Sequence, residues 1–209
     1  LYAAVPDDVL SGVINQTMST EKMPLLYEKI DTLMDMQNIK SVDIIVGGPP
    51  CQAYSLVGRA VKSDSMRNDP RNYLYKIYIK MLEKYSPKMF VFENVPGLLT
   101  ANKGKYFSDM KEAFNNAGYE INYRVLNAKN FGVLQNRLRV ILIGWKKGSG
   151  KSYPEFPEKT FKYTVSDILC DLPALQAGES SNSYRSGRYS KYLSNTGIRK
   201  QTDILTWHC

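Results

Sequence analysis

Apolar residues occur along the chain in two patterns, as short continuous or alternating runs and as helical repeats. Four runs rich in β-branched and aromatic residues are typical of strands; they lie at residues 42–46, 88–95, 120–127 and 138–145. Three segments with apolar residues three and four positions apart predict amphipathic helices; they cover residues 21–37, 72–85 and 106–117. This alternation predicts an α/β fold in which helices cover a sheet.

The connections between these elements predict the strand directions. Strands joined through a helix run parallel, as in a βαβ unit. The last two strands are joined only by residues 128–137, which is short for a parallel crossover. We therefore expect a mostly parallel sheet whose final strand is antiparallel to its predecessor.

The pattern changes after residue 147. Residues 148–209 are rich in Gly, Ser, Tyr and Pro, and they hold one predicted short helix near residues 165–169. The stretch 177–203 is polar and predicts loop. We therefore expect a core at residues 1–147, best defined from residue 40 onward, and a loop-rich segment at residues 148–209.

Charge is distributed unevenly over the 209 residues. The formal net charge is +8, yet residues 1–50 carry a net −4, whereas residues 51–150 hold 17 basic and 7 acidic side chains, a net +10. Clustered Lys and Arg suit a polyanion such as nucleic acid, although a basic surface also serves solubility.

The scarcity of His and Cys residues limits the chemistry available to this chain. The single histidine, His208, leaves little for a Ser-His-Asp triad or a His-rich metal site. Cys51, Cys170 and Cys209 are too few and too scattered for a Cys₄ zinc site or a disulfide framework, so we expect no metal. The odd cysteine count and the absence of a signal-like start predict a reducing, cytoplasmic setting. No apolar run approaches the roughly 18 residues of a membrane span.

Three polar clusters fall at one edge of the predicted sheet. Cys51 follows the first strand, Glu93 closes the second, and Arg137 and Arg139 lie at the start of the last. Ligands of open α/β sheets bind outside the carboxyl ends of the parallel strands, and an antiparallel final strand begins at that same edge. A thiol, a carboxyl and two guanidinium groups are therefore expected to converge on one pocket.

Each cluster also has an ordinary structural interpretation. A lone Cys is often a small buried hydrophobe, and charged side chains such as Arg137 and Arg139 are common on edge strands. Glu93, however, follows the apolar run MFVF, where an uncompensated carboxylate is costly. Buried carboxyl groups often act as proton donors in active sites, so we expect Glu93 to be buried and functional.

Four short motifs resemble those of the DNA cytosine-5 methyltransferases. Residues 48–55 (GPPCQAYS) resemble the catalytic loop of that family, 92–98 (FENVPGL) its Glu-Asn-Val motif, 135–139 (QNRLR) its Gln-x-Arg-x-Arg motif, and 69–74 (DPRNYL) the segment that adjoins the cofactor. They occur in the family's order and at its spacing. The resemblance covers residues 40–147 and, more loosely, 165–177, and it implies a Rossmann-like fold that uses S-adenosylmethionine.

The resemblance also implies a mechanism, methyl transfer to C5 of cytosine. It implies that Cys51 attacks C6 of the ring as a thiolate and that Glu93 protonates N3. It further implies that Arg139, together with Arg137, contacts O2 of the base or braces the loop, and that Asn94 ties the catalytic loop in place.

The remaining contacts implied by the resemblance concern the cofactor and the DNA. Pro50 and Leu74 are expected to contact S-adenosylmethionine. Gln52, Ser55 and Arg59 are expected to contact the phosphates or the flipped nucleotide of double-stranded DNA. The resemblance is to bacterial restriction–modification enzymes, so we expect a monomer in the cytoplasm, associated with the nucleoid.

Two alternatives remain open, and part of the family pattern is not identifiable. The same chemistry could act on RNA such as tRNA, or the chain could be a non-catalytic nucleic-acid-binding relic, against which the presence of Cys51 and Glu93 argues.

The family's Gly-rich cofactor motif and its target-recognition region are not recognisable. We therefore expect an incomplete chain that binds the cofactor poorly by itself.

Overall fold

The chain divides into two units in a computed structural model. Unit 1 comprises Leu1–Leu126 and Leu138–Glu155, and unit 2 comprises Asn127–Arg137 and Phe156–Cys209. The structure describes residues 12–50, 74–159, 163–185, 187–197 and the backbone of 207–208.

A four-stranded sheet organises unit 1. Its strands are β1 (Ile44–Gly47), β2 (Met89–Asn94), β3 (Tyr119–Asn127) and β4 (Leu138–Lys146), in the order β1-β2-β4-β3. β1 and β2 are parallel, with Gly47 opposite Phe92. β2 and β4 are antiparallel, with Asn94 opposite Val140.

Backbone hydrogen bonds at both ends of the β3–β4 pair define its direction. The N–H of Ala128 donates to the carbonyl of Arg137 at 2.9 Å, and the N–H of Lys147 donates to the carbonyl of Gly118 at 3.1 Å. The end of β3 thus bonds to the start of β4, and the end of β4 bonds to the start of β3, which is the pattern of an antiparallel hairpin. β1, β2 and β3 therefore point one way and β4 the other, which confirms the predicted sheet.

The helices of unit 1 lie close to their predicted positions. They are α1 (Met23–Met36), α2 (Leu74–Tyr85), α3 (Gly97–Thr100) and α4 (Lys105–Asn116), with a 3₁₀ turn at Ala101–Gly104. α1 has a proline in its first turn, where a missing N–H costs nothing. α4 ends just before Gly118, whose φ of 89° suits a helix terminus. Among the described helices of unit 1, only α3 and the 3₁₀ turn were not predicted.

Aromatic side chains fill the core of unit 1. Phe90 and Phe92 of β2 are 0% and 1% exposed. The rings of Phe90 and Phe114 lie 4.7 Å apart, and Tyr78 contacts both β2 phenylalanines edge-on. Gly144 lies opposite Phe90, and a Cβ there would sit 2.1 Å from the ring. The close packing of β2 on β4 therefore requires a glycine at this position.

All elements in the described part of unit 2 are short. These are a 3₁₀ turn at Ala128–Phe131, α5 (Val165–Leu169), β5 (Ser180–Ser181), α6 (Lys191–Thr196) and β6 (Trp207–His208), with β5 and β6 antiparallel. α5 confirms the predicted helix near residues 165–169. The expectation of loop throughout residues 177–203 was wrong, because α6 and β5 fall within it.

Capping residues explain the helix that was missed. The hydroxyl of Ser190 accepts a hydrogen bond from the N–H of Leu193, and Gly197 ends α6 with a φ of 60°. Only Tyr192 and Leu193 of the six residues of α6 are buried. A helix with two buried residues leaves too little periodicity for its pattern to be recognised.

Candidate active site

The candidate site lies where β1 and β2 end and β4 begins. Glu93 is opposite Ile141, and Asn94 is opposite Val140. The antiparallel direction of β4 thus brings its first residues to the carboxyl ends of β1 and β2, as the sequence predicted. Glu93 and Arg139 consequently come from neighbouring strands.

Glu93 and Arg139 form an ion pair at this edge. The Nε of Arg139 lies 2.7 Å from Oε1 of Glu93, and the side chains are 23% and 41% exposed for Arg139 and Glu93 respectively. Nη1 of Arg139 also donates to the carbonyl of Leu138 at 2.7 Å, which orients the guanidinium group. A charge-assisted bond of this length fixes the direction of the carboxylate.

The expected burial of Glu93 was wrong. Successive side chains of a strand point to opposite faces of the sheet. Phe90 and Phe92 occupy the buried face of β2, so Glu93 falls on the other face, where it is half-exposed and paired. An apolar run in the sequence therefore did not imply an apolar environment for the residue that follows it.

Gly48 packs against the same carboxylate. A Cβ built on Gly48 would lie 2.9 Å from Oε2 of Glu93. The chain that leaves β1 therefore passes directly beside Glu93, and the absence of a side chain at Gly48 leaves the carboxylate in place. Cys51 follows three residues later in the sequence and lies outside the described residues.

Asn94 connects the end of β2 to the segment that leads to Cys51. Its side chain is buried, at 2% exposure. Nδ2 donates to the carbonyl of Pro49 at 3.3 Å, and Oδ1 accepts from the N–H of Val95 at 2.9 Å. This geometry suits the predicted role of Asn94 in holding the catalytic loop.

Arg137 is placed differently from Arg139. It belongs to unit 2, its side chain is exposed, and its backbone N–H donates to Oδ1 of Asn127 at 3.1 Å. The structure thus brings Glu93 and Arg139 together within unit 1, whereas Arg137 helps to shape the turn that precedes β4.

A cavity of about 210 Å³ in unit 1 brings together the two residues predicted to contact the cofactor. Pro50 and Leu74 both line it. Its other lining residues were not predicted from the sequence; they are Met18, Gly47, Gly48, Pro49, Ile77 and Tyr78. The helical spacing places Leu74, Ile77 and Tyr78 on one face of α2, and it was the signal that could have linked Ile77 and Tyr78 to the cofactor contact at Leu74.

The wall formed by Tyr78 is rigid. Its hydroxyl lies 2.9 Å from the carbonyl oxygen of Ile45 and 3.0 Å from that of Val91, so it can donate to either strand. Burial raises the pKa of Tyr78 well above its ordinary value, so the phenol stays neutral. A Cβ on Gly47 would lie 2.7 Å from this ring, which shows how closely β1 approaches α2.

The chemistry of this cavity fits part of S-adenosylmethionine. Its lining is mostly apolar, as suits the face of a nucleoside base. Its volume of about 210 Å³ is below the roughly 300–1,000 Å³ typical of small-molecule sites. The described residues therefore supply one portion of a site for a cofactor of that size.

Several predicted residues are not covered by the structure. Cys51, Gln52, Ser55 and Arg59 lie outside the described residues, so their roles stay predictions. Among the residues that are described, no cluster of three or more His, Cys, Asp or Glu side chains could hold a metal ion. Within the same ranges, none of the helices has the length and apolar character needed to span a bilayer.

Comparison with known proteins defines first the fold and then the family. A solved structure of a DNA modification methyltransferase encoded within an Escherichia coli prophage shares the fold, with a TM-score of 0.54 at 24% identity over 78% of this chain and 46% of that one. The family model of the C-5 cytosine-specific DNA methylases matches residues 15–206. The chain belongs to this family.

Alignments with curated relatives cover most of the chain. It is 41% identical to the Type II methyltransferase M.Bpa9945I of Bacillus paralicheniformis over 77% of its length, and 41% identical to M1.HphI of Haemophilus parahaemolyticus over 72%. It is 30% identical to M.MthTI of Methanothermobacter thermautotrophicus over 91%. These matches cover 38%, 40% and 58% of the respective relatives, so the chain spans about two to three fifths of their length.

Proposed function

We propose that the protein containing this chain transfers a methyl group to C5 of cytosine in double-stranded DNA, within a restriction–modification system. The family and the relatives named Type II methyltransferases support this proposal. The observation that carries it is the Glu93–Arg139 ion pair held against Gly48, at the edge where the chain runs on toward Cys51.

Cys51 is the nucleophile in this proposal. C5 of cytosine reacts poorly with a methyl donor because it belongs to an aromatic ring. Addition of the Cys51 thiolate to C6 forms an S–C6 bond and pushes a ring electron pair toward C5 and N3, which splits one hard step into two. Bound S-adenosylmethionine supplies the methyl group for C5. A water molecule then takes the C5 proton, the electron pair of that C–H bond re-forms the C5–C6 double bond, and the S–C6 bond breaks to release the thiolate.

Glu93 is the proton donor to N3 of the ring. Its Oε1 is held by Arg139, while its Oε2 lies on the side of Gly48. Oε2 is therefore the oxygen that faces the segment leading to the nucleophile, and we assign it to N3. A proton taken up from water onto Oε2 and passed to N3 stabilises the electron pair that Cys51 pushes into the ring, and it returns to Oε2 when the S–C6 bond breaks. Arg139, assisted by Arg137, contacts O2 of the base or braces the loop.

The DNA strand must present its cytosine outside the helix stack. The faces of a base are inaccessible in a duplex, so the target nucleotide is flipped out. Gln52, Ser55 and Arg59 contact the phosphates or line the flipped nucleotide, and the net +10 of residues 51–150 favours such a polyanion. We propose a monomer, acting in the cytoplasm at the nucleoid.

The cofactor site follows from the cavity in unit 1. Pro50 and Leu74 hold part of S-adenosylmethionine, and the ring of Tyr78 forms a rigid wall beside them. These side chains exclude water from one side of the cofactor. Residues beyond those described complete the site.

Methyl incorporation into duplex DNA tests the proposal in the full protein that contains this chain. Glu93→Gln removes the proton donor and is expected to lower kcat by about 10²–10⁴-fold. Glu112→Gln changes an exposed carboxylate on α4 and is the matched control, expected to leave kcat unchanged. Full activity of Glu93→Gln would remove Glu93 from the mechanism.

Two further arms sharpen this experiment. Gly48→Ala would bring a methyl group to 2.9 Å from Oε2 of Glu93, and that flexible side chain can move away, so we expect lost activity with little change in thermal stability. Transfer of the methyl group to tRNA and not to duplex DNA would replace the proposed substrate with RNA.

A further inference from the structure

A second cavity, of about 480 Å³, lies entirely within unit 2 and has no part in the mechanism above. Three amide side chains line it, those of Asn130, Gln135 and Asn136. Lys129 and Lys159 add two positive charges to the lining. Its volume falls within the roughly 300–1,000 Å³ of small-molecule sites.

One wall of this cavity is held in shape by Asn127. Oδ1 of Asn127 accepts from the backbone N–H groups of Lys129, at 3.3 Å, and Arg137, at 3.1 Å. Nδ2 donates to Oδ1 of Asn136 at 2.7 Å. A single side chain therefore fixes the turn that carries all three lining amides.

The opposite wall is tied to the first. The N–H of Lys159 donates to the carbonyl of Asn130 at 2.7 Å. The lining residue Tyr163 packs edge-on against buried Tyr192, with ring centroids 5.0 Å apart. Ligand sites are usually largely formed before the ligand arrives, and these contacts preform the cavity.

The lining matches the chemistry of a nucleotide. Amide side chains donate and accept in the pattern that a base edge presents, and adenine is their best partner. Tyrosine rings and apolar side chains pack on base faces, and Tyr163, Val133 and Val165 supply such surfaces. Lysine ammonium groups suit a phosphate as point charges.

We propose that this cavity binds one nucleotide of the DNA strand, distinct from the cytosine that receives the methyl group. The base lies among Asn130, Gln135 and Asn136, and its phosphate lies at Lys129 and Lys159. The inference rests on the proposed function only in that DNA brings the nucleotide to the cavity. Glu158 also lines the cavity, and its carboxylate opposes the phosphate.

Nuclear magnetic resonance titration of the full 209-residue chain tests this site with three probes, dAMP, deoxyadenosine and inorganic phosphate. We expect dAMP to shift the backbone amide signals of residues 129–136 and 159. Deoxyadenosine should bind about five- to tenfold more weakly, because it lacks the charged group that the lysines contact. Phosphate alone binding as tightly as dAMP would overturn the role of the amides.

Variants separate a built site from general attraction to positive charge. Lys159→Ala should reduce the affinity for dAMP toward that for deoxyadenosine, with Lys129 still in contact with the phosphate, whereas Lys147→Ala, at an exposed lysine of unit 1, should leave it unchanged. Glu158→Gln should strengthen dAMP binding and leave deoxyadenosine binding unaltered. Equal losses in Lys159→Ala and Lys147→Ala, or no shift of the cavity signals with dAMP, would overturn the proposal.

This titration requires neither S-adenosylmethionine nor methyl transfer. A chain that fails to bind dAMP while the full protein methylates DNA contradicts the nucleotide cavity alone. A full protein that fails to methylate any nucleic acid, while its cavity binds dAMP, contradicts the proposed function alone.

Discussion

The two units of this chain are stabilised in different ways. Unit 1 packs helices on a sheet around buried aromatic rings, including Tyr78, Phe90, Phe92 and Phe114. In the described part of unit 2, the buried hydrophobic side chains are only Tyr192 and Leu193. Apolar packing therefore dominates unit 1, and hydrogen bonds from side chains to the backbone carry much of the order in unit 2.

Four polar side chains show how unit 2 is stabilised. Asn127 organises the turn before β4. Thr164 and Asp167 form a reciprocal capping box at the start of α5. Ser190 donates to the carbonyl of Asp167 and caps α6, so one hydroxyl links the two helices. Each such bond contributes about 1 kcal/mol, far less than a buried aromatic ring.

The largest expected effect is a cavity in the core of unit 1. Phe90→Ala removes a fully buried ring that packs on Phe114 and Tyr119, and it should lower the free energy of unfolding by about 3–5 kcal/mol. Phe156→Ala in unit 2 is the matched control, because that ring is only half-buried. Its cost should be roughly 1 kcal/mol. Urea denaturation measures the free energy of unfolding of both variants. Equal losses would contradict the difference between the two units.

A smaller effect is expected at the polar centre of unit 2. Asn127→Ala removes the acceptor of the N–H groups of Lys129 and Arg137, which are exposed and can bond water instead, so it should cost about 1 kcal/mol. Hydrogen exchange should accelerate at residues 128–137 and remain slow in β2. Asn115→Ala, at an exposed position on α4, should change neither rate. Unchanged exchange in Asn127→Ala would show that the turn is held by other means.

The smallest expected effect concerns the pH dependence of α5. The hydrogen bond from the backbone N–H of Thr164, followed by that from its hydroxyl, holds the pKa of Asp167 below its ordinary 3.8. A lowered carboxyl pKa adds stability that is present above 3.8 and is lost as the pH falls through the lowered value. The difference in thermal midpoint between wild type and Asp167→Asn should therefore be seen at about pH 7 and vanish toward about pH 2. A difference that persists there contradicts this account of the cap.

The same contrast explains what the sequence could predict about the fold. In unit 1, strands such as β2 and β4 were predicted to within a residue or so, because apolar residues dominate both. In unit 2, α6 was missed because its stability comes from Ser190 and Gly197, which are common in loops as well as in caps. Hydrophobic periodicity reveals elements that bury apolar side chains, and the described part of unit 2 buries few of them.

The residues of the candidate site were predicted more fully than their exposure and contacts. Motif resemblance and strand order together placed Glu93 and Arg139 at one edge, where the structure shows them paired. The exposure of Glu93 and the approach of Gly48 to its carboxylate depend on which face of β2 each side chain occupies, and a continuous apolar run does not reveal that face.

The most direct test of the central claim is covalent trapping of the full protein by a duplex oligonucleotide that carries 5-fluorocytosine at its target site. Fluorine at C5 cannot leave as a proton does, so the S–C6 bond persists after methyl transfer. We predict that the wild-type protein and Cys170→Ser form a denaturation-resistant adduct and that Cys51→Ser forms none. An adduct that persists in Cys51→Ser would contradict the assignment of Cys51 as the nucleophile.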